Sequence, residues 1–286
     1  MLRIDCFLTL YFFKHLAKFY PRAKDIRIPI LMYHSISDEP EKGHPYFWIN
    51  TSPKLFAEQM KFLHDNDYKV ISLSEAVDII KYNTQHSTLN TVVVTFDDGY
   101  HDFFTHAFPV LRRYGFTATV FLPTGFIDGV KVGLKGKNHL SWEEVRRLQD
   151  EGIAFGSHTV NHPQLVDLGR DGIEYEIKKS KETIERKTKQ KVDSFSYPYK
   201  FPDGNRTHAS MLYGILEDSG YKNGVSTRIG TINCKDDAFW LKRIPMNSCD
   251  DILFFRAKLK GEYDWVYGAQ HINKIAHRII SKNSKS

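Results

Sequence analysis

The 286-residue sequence predicts an α/β fold around a mostly parallel sheet, as a barrel or an open doubly wound sheet. Three observations carry that reading. Strand-like and helix-like segments alternate almost from residue 26 to the end. The strand-like segments are continuous apolar runs, as in "TVVVTF" (91–96), which suits strands covered on both faces. Hydrophobic residues make up 41% of the chain and aromatics 14%, ample for a packed core and inconsistent with wholesale disorder.

Taken in order, the elements begin with an amphipathic helix over residues 1–25. Leu8, Phe12, Leu16 and Phe19 recur at helical spacing, with Lys14, Lys18, Arg22 and Lys24 interleaved or following. Packing on the domain is the favoured reading, and peripheral contact with a membrane is the alternative. The apolar run "CFLTLYFF" (6–13) is too short to span a bilayer. Asp5 before it, and the lack of a small-residue cleavage site after it, argue against a cleaved signal peptide. Residues 26–286 then read as one domain without a low-complexity linker.

"IRIPILMYHSI" (26–36) is a buried strand, and 53–66 an amphipathic helix. A strand follows at 68–73, then a short helix at 74–83 opened by Ser74, then the strand ending at Phe96. Residues 101–114 suit a helix and 117–122 a strand. Ser141 and Glu144 have the form of a capping box, starting a helix to about Asp150. After a strand at 152–158, a charged helix over 171–190 places Ile173, Ile177 and Ile184 on one side. Strands at 193–198 and 221–227 flank a helix around 207–219, and "WLKRIP" (240–245) is a short strand.

Composition narrows the partners only slightly. The formal charge of +6, from 40 basic and 34 acidic residues, is mild and selects no class of ligand. No compact basic run or zinc-ribbon spacing points to nucleic acid. Cys6, Cys234 and Cys249 form no CxxC pair and leave one odd, which fits a reducing, cytoplasmic compartment; a Cys234–Cys249 pair stays open.

Barrels and doubly wound sheets both place functional groups at the carboxyl ends of strands. Asp97 and Asp98 stand at such an end. Adjacent like charges there are costly unless a cation or a proton resolves them, although Asp-Gly pairs also make ordinary turns. "SHTVNH" (157–162) follows the next-but-one strand. On one helical turn, His158 and His162 project to the same side, and Pro163 limits that helix to a single tight turn. A lone histidine is ordinarily structural. Two imidazoles with one carboxylate form a facial set with open positions, suited to zinc or a similar divalent ion. Successive side chains on a strand point to opposite sides, so one aspartate binds the ion and its neighbour serves as a base.

"TFDDGY", "SHTVNH" and "FSYPYK" resemble the first three motifs of the polysaccharide deacetylases (carbohydrate esterase family 4, the NodB homology domain), over roughly residues 26–250. "PILMYHSI" and "WLKRIP" resemble a branch that acts in polysaccharide and lipid-linked glycan assembly. The resemblance implies a distorted (β/α) barrel of mostly parallel strands. It also implies metal-dependent removal of N-acetyl groups from amino sugars of a polysaccharide or glycolipid. One divalent ion is implied, zinc first, with cobalt or nickel as alternatives.

Carried over by position, Asp97 resembles the catalytic base, and Asp98, His158 and His162 the metal ligands. The backbone N–H of Tyr199 is placed at the oxyanion. Tyr197, Pro198 and His34 are placed beside substrate, the first two against a plainer reading as turn and core. The chain departs from the pattern at Ser196, where the family commonly has arginine, and at Lys200, where it has glycine. Arg243 is the candidate substitute: strand alternation puts Leu241 and Arg243 on one side, read as inward toward Asp97, and Lys242 on the other, against the plainer reading of an outward arginine paired with nothing. No late Leu-x-x-His motif supplies a general acid. His271 and His34 are the candidates considered, His34 because it shares the barrel face with the aspartates. Tyr100, Phe126, Trp142, Tyr199 and Trp240 are candidates to stack on sugar faces. The competing functions are removal of formyl or O-acetyl groups, and a catalytically silent glycan-binding domain.

Overall fold

A computed structural model describes residues 3–13, 26–83, 90–199 and 205–268. Its strands are β1 (Ile30–Tyr33), β2 (Ser35–Ile36), β3 (Asn50–Thr51), β4 (Lys69–Ile71), β5 (Thr91–Phe96), β6 (Thr119–Leu122), β7 (Ala154–Ser157), β8 (Ser194–Ser196), β9 (Asn223–Ile229) and β10 (Leu241–Pro245). Parallel pairing runs in the order β1-β10-β9-β8-β7-β6-β5 and closes where Ile30–Tyr33 lie opposite Val93–Phe96. The sheet is therefore a seven-stranded barrel and not an open one. β4 lies outside the ring, pairing with the first half of β5, while Thr95 and Phe96 pair with β6. β2 and β3 form a separate short ribbon.

Every residue of β1, β5 and β6 is buried, because these strands pack on both faces. Their alternation sorts two apolar clusters. Ile30, Val93, Phe121, Val225 and Leu241 gather inside the barrel, floored by Leu73, Ala76 and Ile80. Leu31, Val92, Val94, Val120 and Leu122 face outward against helix residues such as Phe56 and Met60.

The local signals of the sequence set most helix ends. Ser141 and Glu144 form both bonds of the capping box, at 3.2 and 2.8 Å, and the helix runs Trp142–Asp150. The helix Arg170–Thr188 buries Ile173, Ile177 and Ile184 as its spacing predicts, and also Glu176. Ser72, not Ser74, caps the helix Leu73–Tyr82, because its hydroxyl is the one that reaches Glu75 N–H, at 3.1 Å. The helix Ile252–Leu259 has no counterpart in the sequence reading.

Of the N-terminal segment, Ile4–Leu8 and Thr9–Phe13 are helical and packed. Trp265 donates to Thr9 Oγ1 at 3.0 Å, Tyr263 donates to Asp5 at 2.7 Å, and Phe13 stacks on Trp265. Ile4, Phe7, Tyr11 and Phe12 turn outward. Leu16, Phe19 and the basic residues Lys14 to Lys24 lie outside the described residues. Among those described, no helix is long and apolar enough to cross a membrane. Cys6, Cys234 and Cys249 are free thiols, so Cys234 and Cys249 are not joined.

Candidate active site

β5 delivers the aspartates to the barrel mouth. Asp97 directly follows the strand and continues its pairing with β1, donating its N–H to Tyr33 O at 3.0 Å. The chain then turns through two left-handed residues, Asp98 (φ +67°) and Gly99 (φ +57°). Glycine suits position 99 by its φ, and a Cβ there would also push on Leu122 Cδ2, 2.7 Å away. The Asp-Gly turn and the charged site are thus the same feature. For a non-glycine residue this conformation costs about 1–2 kcal/mol. His139 supports it, donating from Nδ1 to Asp98 O at 2.8 Å while its Nε2 accepts from Leu134 N–H at 3.0 Å.

β7 delivers the histidines. They do not share a helical turn. The chain after Ser157 bends through Thr159 (φ +69°) and His162 (φ +54°), and this bend brings the two rings to a 4.7 Å centroid distance. Thr159 Oγ1 accepts from His162 N–H at 3.0 Å. His158 Nδ1 donates to Ser196 O at 2.8 Å, which leaves its Nε2 as a lone-pair donor.

Asp98 Oδ1 lies 3.5 Å from His158 Nε2 and 3.3 Å from His162 Nε2. Three donors bound at about 2.0–2.1 Å to one divalent cation stand roughly 3.0–3.4 Å apart, so the set needs little rearrangement to hold one. Asp98 Oδ1 is buried without a hydrogen bond among the described residues, as an unfilled ligand atom would be. Burial pushes the Asp98 carboxyl up, but His158, with His34 and His162, holds it well below the usual range. Burial and the neighbouring His158 push His162 down to about 4, keeping its ring neutral.

Asp97 takes no part in this set. Arg243, on β10, reaches across the barrel and grips it by two bonds, NH1 to Oδ1 and NH2 to Oδ2, each 2.7 Å. The guanidinium is 1% exposed and also donates to Ser226 O at 3.1 Å and Ser196 Oγ at 3.1 Å. Ser196 Oγ in turn donates to Asp97 Oδ1 at 3.2 Å, so the small residue in the usual arginine's place makes room for a guanidinium from another strand. Burial raises the Asp97 carboxyl, but Arg243, with His158, outweighs it and brings it down to about 2.

The remaining candidates divide. His34 is half-buried at the same mouth. Burial lowers its pKa, Asp98 and Asp97 oppose, and no hydrogen bond to a described residue holds its ring. Tyr199 is 52% exposed at φ +54°, its ring 4.7 Å from that of His162. Tyr197 and Pro198 are buried beneath this rim, Tyr197 stacked on Trp240, which fits the plainer reading of turn and core. Tyr100, Phe126 and Trp142 are likewise core. His271 and Lys200 lie outside the described residues. His139 went unread because a single histidine in a Gly- and Lys-rich loop carries no spacing signal.

A family model described as polysaccharide deacetylase matches residues 85–216. YxkH of Bacillus subtilis, named as a polysaccharide deacetylase, is 33% identical over 221 residues, covering 77% of this chain and 72% of its own. The poly-β-1,6-N-acetyl-D-glucosamine N-deacetylase of Staphylococcus epidermidis is 27% identical over 200 residues, 64% of this chain and 68% of its own. Among solved structures, the deacetylase PplD of Streptococcus pyogenes, in complex with acetate, superposes with a TM-score of 0.72 at 26% identity. That match covers 82% of this chain and 99% of PplD.

Proposed function

The chain belongs to the polysaccharide deacetylase family, and from that premise we propose that it removes N-acetyl groups from amino sugars of a polysaccharide, using one divalent cation. The observation that carries the reading is the division of labour between adjacent aspartates. Asp98 faces two imidazoles with an unpaired oxygen, whereas Asp97 is fixed in its ionised form by Arg243 and stays out of that set. Asp98, His158 and His162 would hold the cation, zinc in preference to cobalt or nickel, which would polarise the acyl carbonyl and acidify water at neutral pH.

Asp97 then receives the proton of the attacking water. The Tyr199 N–H donates to the oxygen that gains charge. His34, the ring left open beside the aspartates, returns a proton to the departing amine. Relatives named for poly-β-1,6-N-acetyl-D-glucosamine, and one solved with acetate, support an N-acetylated glucosamine polymer as the first substrate to test.

The experiment strips the protein of metal and restores Zn2+, Co2+ or Ni2+ in the presence of β-1,6-linked N-acetylglucosamine oligomers. Acetate and free amine should appear together, only with metal. His34→Ala should lose this amide hydrolysis while keeping that of an aryl acetate, whose leaving group needs no proton. Acetate without amine from O-acetylated oligomers would favour the esterase reading, and no release from any oligomer the silent one.

A further inference from the structure

We infer that Glu176, which neither ligates nor transfers a proton, is a positioning residue that sets the turn between the two histidine ligands. The inference rests on reading His158 and His162 as ligands. Glu176 lies on the inward side of the helix Arg170–Thr188 and is 4% exposed. Its Oε2 accepts from the backbone N–H groups of Val160 and Asn161, both at 2.8 Å, and its Oε1 accepts from Asn161 Nδ2 at 2.5 Å.

Among the described residues no lysine or arginine forms an ion pair with this carboxylate, so its partners are the turn itself. Two successive backbone N–H groups aimed at one charged oxygen form a strong, directional clamp. The clamped residues are those between the ligands, so any shift of Val160 or Asn161 moves both imidazoles.

The rest of the turn is held from the other side. Thr124 and Gly125 donate to the carbonyls of Thr159 and Val160 at 3.0 and 2.8 Å. A Cβ at position 125 would lie 2.8 Å from Val160 O, so the approach is close. Asn161 Oδ1 accepts from Lys131. Among the described residues Glu176 is the one side chain that supplies acceptors for the central amides, and left-handed residues bracket them at Thr159 and His162. A backbone in such a conformation persists only where its surroundings over-determine it.

The test is Co2+ titration of the metal-stripped protein, read by affinity and by the visible ligand-field bands, with Tm recorded for each metal-free variant. Glu176→Ala should weaken Co2+ by roughly 10–100-fold, the range for residues that orient ligands, and shift the bands. Glu176→Gln keeps an acceptor for the two backbone amides but sets its NH2 against Asn161 Nδ2, so it should fall between Ala and the parent. Asn161→Ala, which removes one of the three bonds, should have the smallest effect. If Glu176→Ala has the parental Kd and bands, even with a lower Tm, the residue is merely structural and the inference is overturned. Should that variant not fold, Glu176→Gln decides, and parental bands and affinity overturn the inference. His162→Ala separates the failures: if the parent binds Co2+ no better than this variant, it is the ligand assignment that is wrong.

Discussion

Lys258 and Asp250, on the barrel's outer wall near the N-terminal segment, are as fully buried as Arg243 and Asp97 at its mouth. In the wall cluster each charge has its complement. Lys258 lies 2.8 Å from Asp250 and donates to Pro245 O at 2.6 Å; Asp250 accepts from Asn247 N–H at 2.7 Å. Asp5 is gripped by Arg3 and receives the Tyr263 hydroxyl. At the mouth the Arg243–Asp97 pair is equally complete. Asp98 Oδ1 and Asp250 Oδ1 are both buried without a hydrogen bond among the described residues, but Asp250 Oδ1 has Lys258 Nζ 2.8 Å away, whereas Asp98 Oδ1 faces two imidazoles at 3.5 and 3.3 Å. Burial of charge therefore does not distinguish scaffold from site in this molecule. The group that faces the buried carboxylate does, an ammonium in the wall and two imidazoles at the mouth.

That contrast can be broken at either end. The largest effect is expected in the wall. Lys258→Ala removes the near partner of Asp250 and leaves Arg3 at 3.8 Å, and removing one partner of a buried pair costs about 3–5 kcal/mol. Denaturant titration should show this loss, while the folded variant should bind Co2+ with parental affinity. A parallel fall in affinity would mean that the two clusters are coupled.

At the mouth, Asp97→Asn should retain the metal and lose amide hydrolysis by about 10²-fold or more, the contribution of a general base. Near-parental turnover would return Asp97 to the scaffold class.

The smallest and most discriminating effect is that of Arg243→Lys. Arg243 holds the Asp97 carboxyl down to about 2, so the ionised base is present above that pH and lost as pH falls through it. A lysine offers a point charge where arginine offers a two-pronged fork, and the carboxyl should titrate higher. The acid limb of the pH–rate profile should then move to higher pH, with less change at neutral pH. An unmoved limb would leave Arg243 with packing alone.

Features legible in the sequence were those set locally or by a strict period. The Ser141–Glu144 box is complete within four residues. Leu241 and Arg243 could be placed on one side by strand alternation, and the structure puts both inside the barrel. His158 and His162 could be paired by spacing, but not given their geometry, because helical stacking was the expected device and a bend through left-handed residues is the one used. Glu176 was hidden for another reason. It stands in a helix rich in Lys and Glu, where a further carboxylate reads as solvated, and only the packing of that helix on β7 turns it inward. The burial of Tyr197 was not legible because a motif fixes the path of the backbone and not which side chains the rim leaves exposed.

The closing of the barrel has a consequence for the order in which the chain can fold. β1 pairs with β5 on one edge and with β10 on the other, and β10 alone connects β1 to β9. A nascent chain lacking residues beyond 240 thus presents two open strand edges, the kind of surface that invites wrong pairing. It also carries Asp97 with no guanidinium to meet it, since that contact spans 146 residues. Strand insertion and charge neutralisation arrive together in β10. A contact of such long range is slow to find, so the Arg243–Asp97 pair is among the last to be secured during synthesis.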